Sequence, residues 1–309
     1  MITVIAGGVG AARLLRALTS VVDPADIVAI VNVGDDLVLG GLHISPDLDT
    51  VTYTLAGAID PERGWGLVDE SWRAMDALGR YGGPTWFSLG DRDLGTHLYR
   101  TQRLTEGATL STVTAEIAAA WGLTHRLVPV TDDRLRTMVT VVDEGEVTFQ
   151  EYFVGRRHSV PVSGVRFDGA EQARPAPGVL DAIAGADTVV IAPSNPIVSI
   201  APVLAVPGVR HAIAARRADV VAVSPIVAGA ALKGPADRML RELGHEPTAA
   251  GVARLLADLI GTFVVDTADR ELTDDIESLG LRCVVTDTIM QDPAVSAALA
   301  ATIIGAVPR

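Results

Sequence analysis

The chain has 309 residues, of which 49% are hydrophobic and 20% are charged, and its formal net charge is -13. This length and apolar content are enough for a large core, built as one domain or as one domain with an insertion. The negative charge argues against nucleic acid as a partner, because binding a phosphate backbone requires clustered Lys and Arg residues.

Cys283 is the only cysteine, so no disulfide can form within the chain, and a reducing compartment is expected. No basic segment precedes an apolar run at the N-terminus, so no signal peptide is expected. No apolar stretch reaches the roughly 18 residues needed to span a bilayer. We therefore expect a cytoplasmic protein without a membrane segment.

The chain opens with a predicted buried strand, Met1–Ala6, followed by a glycine turn and a helix that runs to Leu18. The turn consists of four residues, Gly7, Gly8, Val9 and Gly10. Backbone N–H groups at such a helix start favour phosphate. The dinucleotide-binding fingerprint is incomplete, because Arg13 stands where its third glycine would be. A phosphate cradle and an ordinary strand–helix turn both remain open.

A second buried strand, predicted at Asp26–Val33, leads into an acidic segment that extends to Thr50. This segment carries four carboxylates in two pairs, Asp35, Asp36, Asp47 and Asp49. Ligands of open α/β sheets bind beyond the carboxyl ends of the strands. Clustered acids there are costly unless a cation compensates them. The sequence therefore predicts a divalent-cation site at this edge, followed by a helix over residues 49–58.

The middle of the chain is predicted to form an inserted subdomain of helices and antiparallel strands. Helices are expected over residues 71–78 and 111–121, the second with Ser111 as its N-cap. Two strand-like runs on either side of residues 143–145 predict a β-hairpin over Met138–Val154. We place the insertion at residues 61–168, between core segments at residues 1–60 and 169–309.

The insertion also contains the segment LGDRDLGTH, in which Arg92 stands between Asp91 and Asp93. An Arg held by carboxylates is suited to binding phosphate, but the same pattern occurs in surface turns that pair with themselves. His97 follows within this segment, with Arg100 one helical turn further on. His97 is either a structural side chain or a member of the site.

Alternating strands and helices return in the last part of the chain. The strands are predicted at Thr188–Ala192, Asp219–Val223, Phe263–Asp266 and Arg282–Thr286. Continuous apolar strands alternating with helices predict a Rossmann-like α/β fold with a doubly wound, mostly parallel sheet. The loop Pro193-Ser194-Asn195-Pro196 would then lie at the same sheet edge as the acidic segment. Its polar side chains would suit a phosphate or a base edge, unless the loop is a plain connection.

Several common catalytic motifs are absent. No CxxC, HExxH or G-x-S-x-G motif occurs, and Lys233 lacks the glycines of a Walker A loop. A Rossmann dehydrogenase would need an acid for the ribose about 20 residues beyond the glycine turn. Asp35 is near that distance, but paired acids suit a cation better than a ribose hydroxyl.

The chain resembles the 2-phospho-L-lactate transferase family of coenzyme F-420 biosynthesis over essentially its whole length. The resemblance rests on segments that occur in the same order: IAGGVGAARLL, NVGDD, ISPDLDT, IDPERGWG, LGDRDLGTH, APSNPIVSI and VSPIVAG. Within this family, GVGAAR, GDD and DPERGWG are similar to the actinobacterial branch, whose members are described as phosphoenolpyruvate transferases.

This resemblance implies a Mg²⁺-dependent phosphotransferase. A guanosine-diphosphate-linked donor, enolpyruvoyl- or lactyl-2-diphospho-5'-guanosine, would give its phosphoenolpyruvyl or phospholactyl unit to the ribityl hydroxyl of the deazaflavin Fo. The products would be GMP and dehydro coenzyme F-420-0, or F-420-0 from the lactyl donor. The resemblance also implies a homodimer, and it raises the question of a handover from the guanylyltransferase that forms the unstable donor.

The resemblance also implies roles for individual residues. Catalysis would depend on Asp49 and Asp35. Mg²⁺ would be held by Asp35, Asp47 and Asp49. The acceptor Fo would contact Asp49, Ser88, Asp91, Arg92 and His97, although some relatives carry Lys where this chain has Ser88. The donor nucleotide would contact Gly7, Gly8, Val9, Gly10, Asn32, Ser194 and Asn195. The insertion would cover the deazaflavin ring with its aromatic side chains, unless these form a small core of their own.

One alternative belongs to a different class of function. A related group of bacterial proteins, the gluconeogenesis-factor group, shares the glycine-rich start and the PSNP-like loop and is interpreted as non-enzymatic regulators that bind nucleotide sugars. The segments ISPDLDT and GDRDLGTH fit the transferases better.

Overall fold

The protein is described by a computed structural model over residues 1–307. Its strands are β1 (Ile2–Ala6), β2 (Ile27–Val31), β3 (Leu37–Leu39), β4 (Leu42–Ile44), β5 (Arg126–Pro129), β6 (Arg136–Val141), β7 (Gly145–Thr148), β8 (Val162–Asp168), β9 (Thr188–Ile191), β10 (Val220–Val223), β11 (Ile226–Val227), β12 (Ala230–Ala231), β13 (Thr262–Val265) and β14 (Arg282–Val285). Its α-helices are α1 (Gly8–Leu18), α2 (Pro46–Leu55), α3 (Arg73–Arg80), α4 (Asp93–Thr105), α5 (Leu110–Ala120), α6 (Val179–Ala184), α7 (Ala201–Ala205), α8 (Val209–Ala214), α9 (Ala236–Glu242), α10 (Ala249–Leu256), α11 (Thr273–Glu277) and α12 (Pro293–Gly305).

The central sheet has seven parallel strands in the order β14-β13-β10-β9-β1-β2-β5. Strand β1 pairs with β2 on one side and with β9 on the other, and all of its residues are buried. Burial of both faces accounts for the continuous apolar character of these strands, because helices cover the two sides of such a sheet. The predicted Rossmann-like, mostly parallel α/β fold is confirmed.

The main core lies between this sheet and its helices. Helix α1 contributes Leu14, Leu15 and Leu18, which are fully buried on the face that the sequence predicts. Helix α12 adds Leu299 and Ile303 to the same core. Within residues 1–307, no helix is both long enough and apolar enough to cross a membrane.

Strand β5 shows that the middle of the chain is not one continuous insertion. It lies inside the segment predicted as an insertion, yet it pairs in parallel with β2 and forms one edge of the central sheet. The chain thus leaves the sheet twice, first in a helical segment (residues 73–120, α3 to α5) and then in an antiparallel segment (residues 136–168, β6 to β8). The sequence of β5 has only Leu127 and Val128 between Arg126 and Pro129, too few apolar residues to indicate a buried strand.

The antiparallel segment contains the predicted hairpin in shortened form. Strands β6 and β7 pair around the turn at residues 143–145, and β8 pairs with the other edge of β6. The prediction of a strand through Val154 is wrong, because β7 ends at Thr148 and Glu151–Gly155 forms a π-helical turn. This turn places Tyr152 in a second apolar cluster, which also includes Phe149.

Two predicted helix starts also differ from the structure. Helix α2 begins at Pro46, three residues earlier than predicted, so Asp47 and Asp49 lie in its first turn. Carboxylates are favourable there because the helix start carries partial positive charge. Helix α5 is capped by Thr109 instead of Ser111, since the Thr109 hydroxyl accepts the N–H of Thr112.

Candidate active site

The candidate site lies where the strand order reverses. From β1 the sheet continues through β2 to one edge, and through β9 and the later strands to the other. In open α/β sheets the crevice beyond such a reversal is the usual place for a ligand. A cavity of about 1000 Å³ opens there, between the glycine turn after β1, the start of α2 and the loop after β9.

Most of the predicted site residues line this cavity. They are Gly7, Gly8, Val9, Gly10, Asp35, Asp47, Asp49, Ser88, His97, Ser194 and Asn195. Three predicted residues, Asn32, Asp91 and Arg92, are not among the lining residues. The fold therefore gathers segments that are far apart in the sequence into one crevice.

Asn32 lies directly behind the cavity wall and is fully buried. Its Nδ2 donates to Oδ2 of Asp47 at 2.9 Å, and its Oδ1 accepts the N–H of Gly34 at 2.8 Å. Both ends of the amide are therefore occupied within the protein. Asn32 orients Asp47, and its predicted contact with the donor nucleotide finds no support in this geometry.

Asp91 and Arg92 bind the segment that precedes α3 and contribute no side chain to the cavity lining. The Asp91 carboxylate accepts the Ser71 hydroxyl and the N–H groups of Arg73 and Ala74 at the start of α3. The Arg92 guanidinium donates to the carbonyl of Val68 at 2.6 Å. Both side chains are thus used within the protein, but they bind the segment before α3 and the start of α3, and not each other. Of the acids in this motif, Asp93 reaches the cavity.

The glycine turn packs directly against the loop that follows β9. A β-carbon on Gly10 would lie 2.1 Å from the carbonyl oxygen of Pro193, and one on Gly7 would lie 2.7 Å from Cβ of Ser199. The Ser194 hydroxyl donates to the carbonyl of Gly7 at 2.6 Å. Its single proton is thus used inside the protein. Asn195 caps the next turn through Oδ1, and its Nδ2 donates to Sδ of Met239 at 3.7 Å, which leaves one amide proton for a ligand.

Asp35 and Asp47 form a pair of buried carboxylates on the cavity wall, with 5% and 7% of their surface exposed. Burial raises the pKa of Asp35 well above its ordinary value, and the charges of Asp47 and Asp36 raise it further. Burial also raises the pKa of Asp47 to about 6. Among residues 1–307, Oδ1 of Asp35 is buried without a hydrogen-bond partner.

These observations test whether a metal ion would fit between the two carboxylates. An unpartnered buried carboxylate oxygen requires a compensating group, and hard carboxylate oxygens are the ligands that Mg²⁺ prefers. The neighbouring Asp36 also has a buried oxygen without a partner, but it does not line the cavity. Ser45 donates to its other oxygen at 2.7 Å, and the charge of Arg136 opposes the effect of burial, which raises the pKa of Asp36 to about 7. The pair Asp35 and Asp47 fits a divalent cation.

Asp49 is held by a residue that the sequence did not single out. Arg100 is 2% exposed and pairs with Asp49 in a bidentate arrangement, in which Nη2 contacts Oδ1 and Nη1 lies 3.2 Å from Oδ2. Asp49 belongs to the first turn of α2, and Arg100 to the middle of α4. The pair therefore links the core to the helical segment.

His97 extends this pair into a buried chain of polar contacts. Its Nδ1 lies 3.3 Å from Nη1 of Arg100, and its Nε2 lies 3.1 Å from Oδ2 of Asp93. A guanidinium nitrogen can only donate, so Nδ1 accepts and the ring proton is on Nε2, facing Asp93. The hydroxyl of Tyr53 donates to Oδ1 of Asp93 at 2.6 Å.

Asp49, Asp93 and His97 are close enough together to hold a metal ion. Arg100, however, already provides a positive charge bonded to both oxygens of Asp49. A dication in the same cluster would face that guanidinium at short range. No such cation is bonded to Asp35 or Asp47 within residues 1–307, so that pair is the better metal site.

Similarity to known proteins extends over nearly the whole chain. The family model described as 2-phospho-L-lactate transferase CofD matches residues 2–303. The phosphoenolpyruvate transferase of Streptomyces griseus is 49% identical over 304 residues, which cover 97% of this chain and 96% of that protein. The phosphoenolpyruvate transferase of Nocardia farcinica is 45% identical, with 96% and 91% of the two chains covered.

A solved structure has the same fold. Protein BH3568 from Bacillus halodurans superposes with a TM-score of 0.66 over 98% of both chains, at 17% sequence identity. At this identity the likeness concerns the fold alone. The resemblance drawn from the motifs is confirmed by the family match. Because that match runs from residue 2 to residue 303, the chain belongs to the 2-phospho-L-lactate transferase family.

Proposed function

We propose that the protein transfers a phosphoenolpyruvyl unit from a guanosine-diphosphate-linked donor to the ribityl hydroxyl of the deazaflavin Fo. The products are GMP and dehydro coenzyme F-420-0; a lactyl donor would give F-420-0. The enolpyruvyl donor is preferred because the similar actinobacterial proteins are named phosphoenolpyruvate transferases. The observation that carries the proposal is that an acidic pair, a helix start and the anchored Asp49 meet in one cavity.

Phosphoryl transfer requires neutralised phosphate charge, in-line positioning and an oriented nucleophile. Asp35 and Asp47 would hold Mg²⁺, which when bound supplies the neutralising charge. Backbone N–H groups at the start of α1 would bind phosphate oxygens, with support from the helix dipole. Asn195 would add an amide donor from the opposite wall.

Asp49 receives a role separate from the metal. Arg100 fixes both of its oxygens, and Asp49 lines the cavity. We assign Asp49 to the acceptor, where it would accept the ribityl hydroxyl and aim its oxygen at the donor phosphorus. His97 and Asp93 would keep Arg100 and Asp49 in this orientation. Of the three predicted metal ligands, we therefore keep Asp35 and Asp47 and remove Asp49.

The deazaflavin ring would occupy the apolar part of the cavity. Aromatic residues from several segments line it: Trp65, Phe87, Phe149 and Phe153. Phe149 and Phe153 stack on each other at 5.3 Å, and Phe149 also belongs to the second apolar cluster. These side chains therefore contribute both to a small core and to a surface on which a flat ring can stack.

A mass-spectrometric assay tests the proposed transfer. Purified protein, Fo and Mg²⁺ are mixed with donor generated from GTP and either phosphoenolpyruvate or phospholactate, and EDTA serves as the control. We expect release of GMP and a product with the mass of Fo plus the phospho-three-carbon unit, only with Mg²⁺. No product from either donor, together with tight binding of a uridine-diphosphate sugar, would favour a regulator instead.

Mg²⁺ should stabilise the protein more at pH 7.5 than at pH 5. Burial raises the pKa of Asp47 from 3.8 to about 6 and that of Asp35 in the same direction. In the metal-free protein these groups favour folding below pH 4, and this contribution is lost as the pH rises through the folded-state pKa. Bound Mg²⁺ would compensate the ionised pair.

Thermal unfolding with Mg²⁺ or EDTA measures this effect at the two pH values. We expect the Mg²⁺-dependent rise in Tm to grow by several degrees between pH 5 and pH 7.5. The variant Asp47→Asn should lose the pH-dependent part of the rise. An equal Mg²⁺-dependent rise in Tm at both pH values would contradict binding of Mg²⁺ by this carboxylate pair. The homodimer, the cytoplasmic location and the handover of the donor stay predictions.

A further inference from the structure

Lys233 is the only lysine in the 309 residues; the other residues of permanent positive charge are all arginines. It lies in the loop between β12 and α9 and lines the cavity of the candidate site. A chain that uses Arg almost everywhere thus places its single primary side-chain amine at the ligand cavity.

The position of the Lys233 ammonium group is defined by its neighbours. A β-carbon on Gly64 would lie 2.6 Å from Nζ of Lys233 and 3.9 Å from Cγ1 of Val9. The ammonium group therefore lies beside the loop around Gly64, which also contacts the glycine turn at Val9. The same turn also lies near Asp47, since a β-carbon on Gly8 would lie 3.8 Å from Oδ1 of that residue.

Arg13 lines the same cavity from the second turn of α1. Burial lowers the pKa of Lys233, and the positive charge of Arg13 lowers it further. Neither side chain takes part in an ion pair with any carboxylate of the described chain, residues 1–307. Arg13 and Lys233 thus lie close enough for their charges to interact, and neither charge is neutralised by an ion pair.

Arg63 also lines the cavity but, unlike Arg13 and Lys233, it is paired with a carboxylate. It pairs with Asp60 at 2.8 Å and lies 5.5 Å and 5.4 Å from the ring centres of Trp65 and Trp72. Its charge is satisfied within its own loop. The charges of Arg13 and Lys233 remain for a ligand.

We propose that Lys233 and Arg13 form a cationic subsite in this cavity that binds an anionic group of the donor. The inference rests on the proposed function, since it concerns the donor of that reaction. Two groups of the donor have the required chemistry: its diphosphate and the carboxylate of its three-carbon unit. An ammonium group donates to either as a compact point charge.

Amine acylation tests the subsite without any need for turnover. Because the chain has one lysine, mass spectrometry reads acylation of Lys233 directly, and the amine of Met1 serves as an internal reference. We expect millimolar pyrophosphate or phosphoenolpyruvate to slow acylation of Lys233 at least threefold and to leave Met1 unchanged. Protection by pyrophosphate identifies the diphosphate as the group, and protection by phosphoenolpyruvate alone identifies the carboxylate. No protection by either anion would overturn the subsite.

Binding measurements on variants provide a second test of the subsite. Lys233→Gln and Arg13→Gln should each weaken binding of the protecting anion by about tenfold, and Lys233→Arg should restore most of it. Arg16→Gln, on the exposed side of the same helix, is the matched control and should bind like the unchanged protein. Unchanged binding in Lys233→Gln would overturn the proposal. A protein that binds these anions but transfers nothing to Fo would contradict the proposed function and leave the subsite standing.

Discussion

Asp47→Asn is expected to abolish transfer and to leave the protein folded. The change removes one charge from the proposed metal pair. Asp47 accepts from Asn32 and from the N–H of Gly8, and the amide oxygen can keep one of these two hydrogen bonds. Because the pKa of Asp47 is raised to about 6 by burial, loss of its charge also relieves a cost of folding at neutral pH. We expect kcat/KM to fall at least 100-fold, about 3 kcal/mol of transition-state stabilisation.

The matched control for this variant is Asp36→Asn. Asp36 lies next to Asp35 but outside the cavity lining, and burial raises its pKa to about 7, so an amide resembles its protonated form. We expect its activity to stay within about threefold of the unchanged protein. Steady-state kinetics of both variants at saturating Mg²⁺ would test whether Asp47, and not Asp36, is required for transfer. Normal turnover of Asp47→Asn would remove this carboxylate from the mechanism.

Arg100→Met is expected to lower both stability and activity. The guanidinium is buried and is bonded to both oxygens of Asp49, so its removal leaves an uncompensated carboxylate in the interior. Breaking a buried ion pair from one side typically costs about 3–5 kcal/mol. We expect the free energy of unfolding to fall by about that amount, as measured by urea denaturation.

A double variant separates the structural role from the catalytic one. Arg100→Met combined with Asp49→Leu removes both charges, and most of the lost stability should return, because an apolar pair can replace a buried ion pair. Activity should not return, since the proposed contact of Asp49 with the acceptor is gone. Recovery of transfer in the double variant would show that the pair is purely structural.

The same pair limits what Asp49→Asn can reveal. That change weakens the only bidentate partner of a buried Arg100, so a loss of activity would be mixed with a loss of stability. Asp47, whose neighbours tolerate an amide, gives the cleaner test of chemistry. This distinction depends on Arg100 and therefore could not be drawn from the acidic segment alone.

The sheet and the cavity could be predicted because each depends on a local pattern. Continuous Val and Ile runs identify strands buried on both faces, and parallel strands bring their following loops to one edge. That reasoning was sufficient to bring Gly8, Asp47 and Asn195 together. Strand β5 was missed because it has only two apolar residues, Leu127 and Val128, before Pro129, and its membership of the sheet depends on pairing with β2.

The partners of individual side chains could not be predicted in the same way. Arg92, flanked by two acids, was the obvious candidate for a phosphate, yet its guanidinium binds the carbonyl of Val68 in the segment before α3. Arg100 follows one turn after His97, but nothing in the polar sequence of α4 indicates that this face is buried against α2. Which carboxylate an arginine finds depends on the packing of segments that are far apart in sequence.

The link between Asp49 and Arg100 also governs how the helical segment can move. Local opening of α4 away from α2 would expose the carboxylate and the guanidinium together and would release His97 from Asp93. Such an opening carries the cost of separating a buried ion pair, unlike the fraying of an ordinary surface helix. Partial unfolding of the helical segment would therefore also disassemble the acceptor side of the cavity. The site is lost whenever α4 separates from α2.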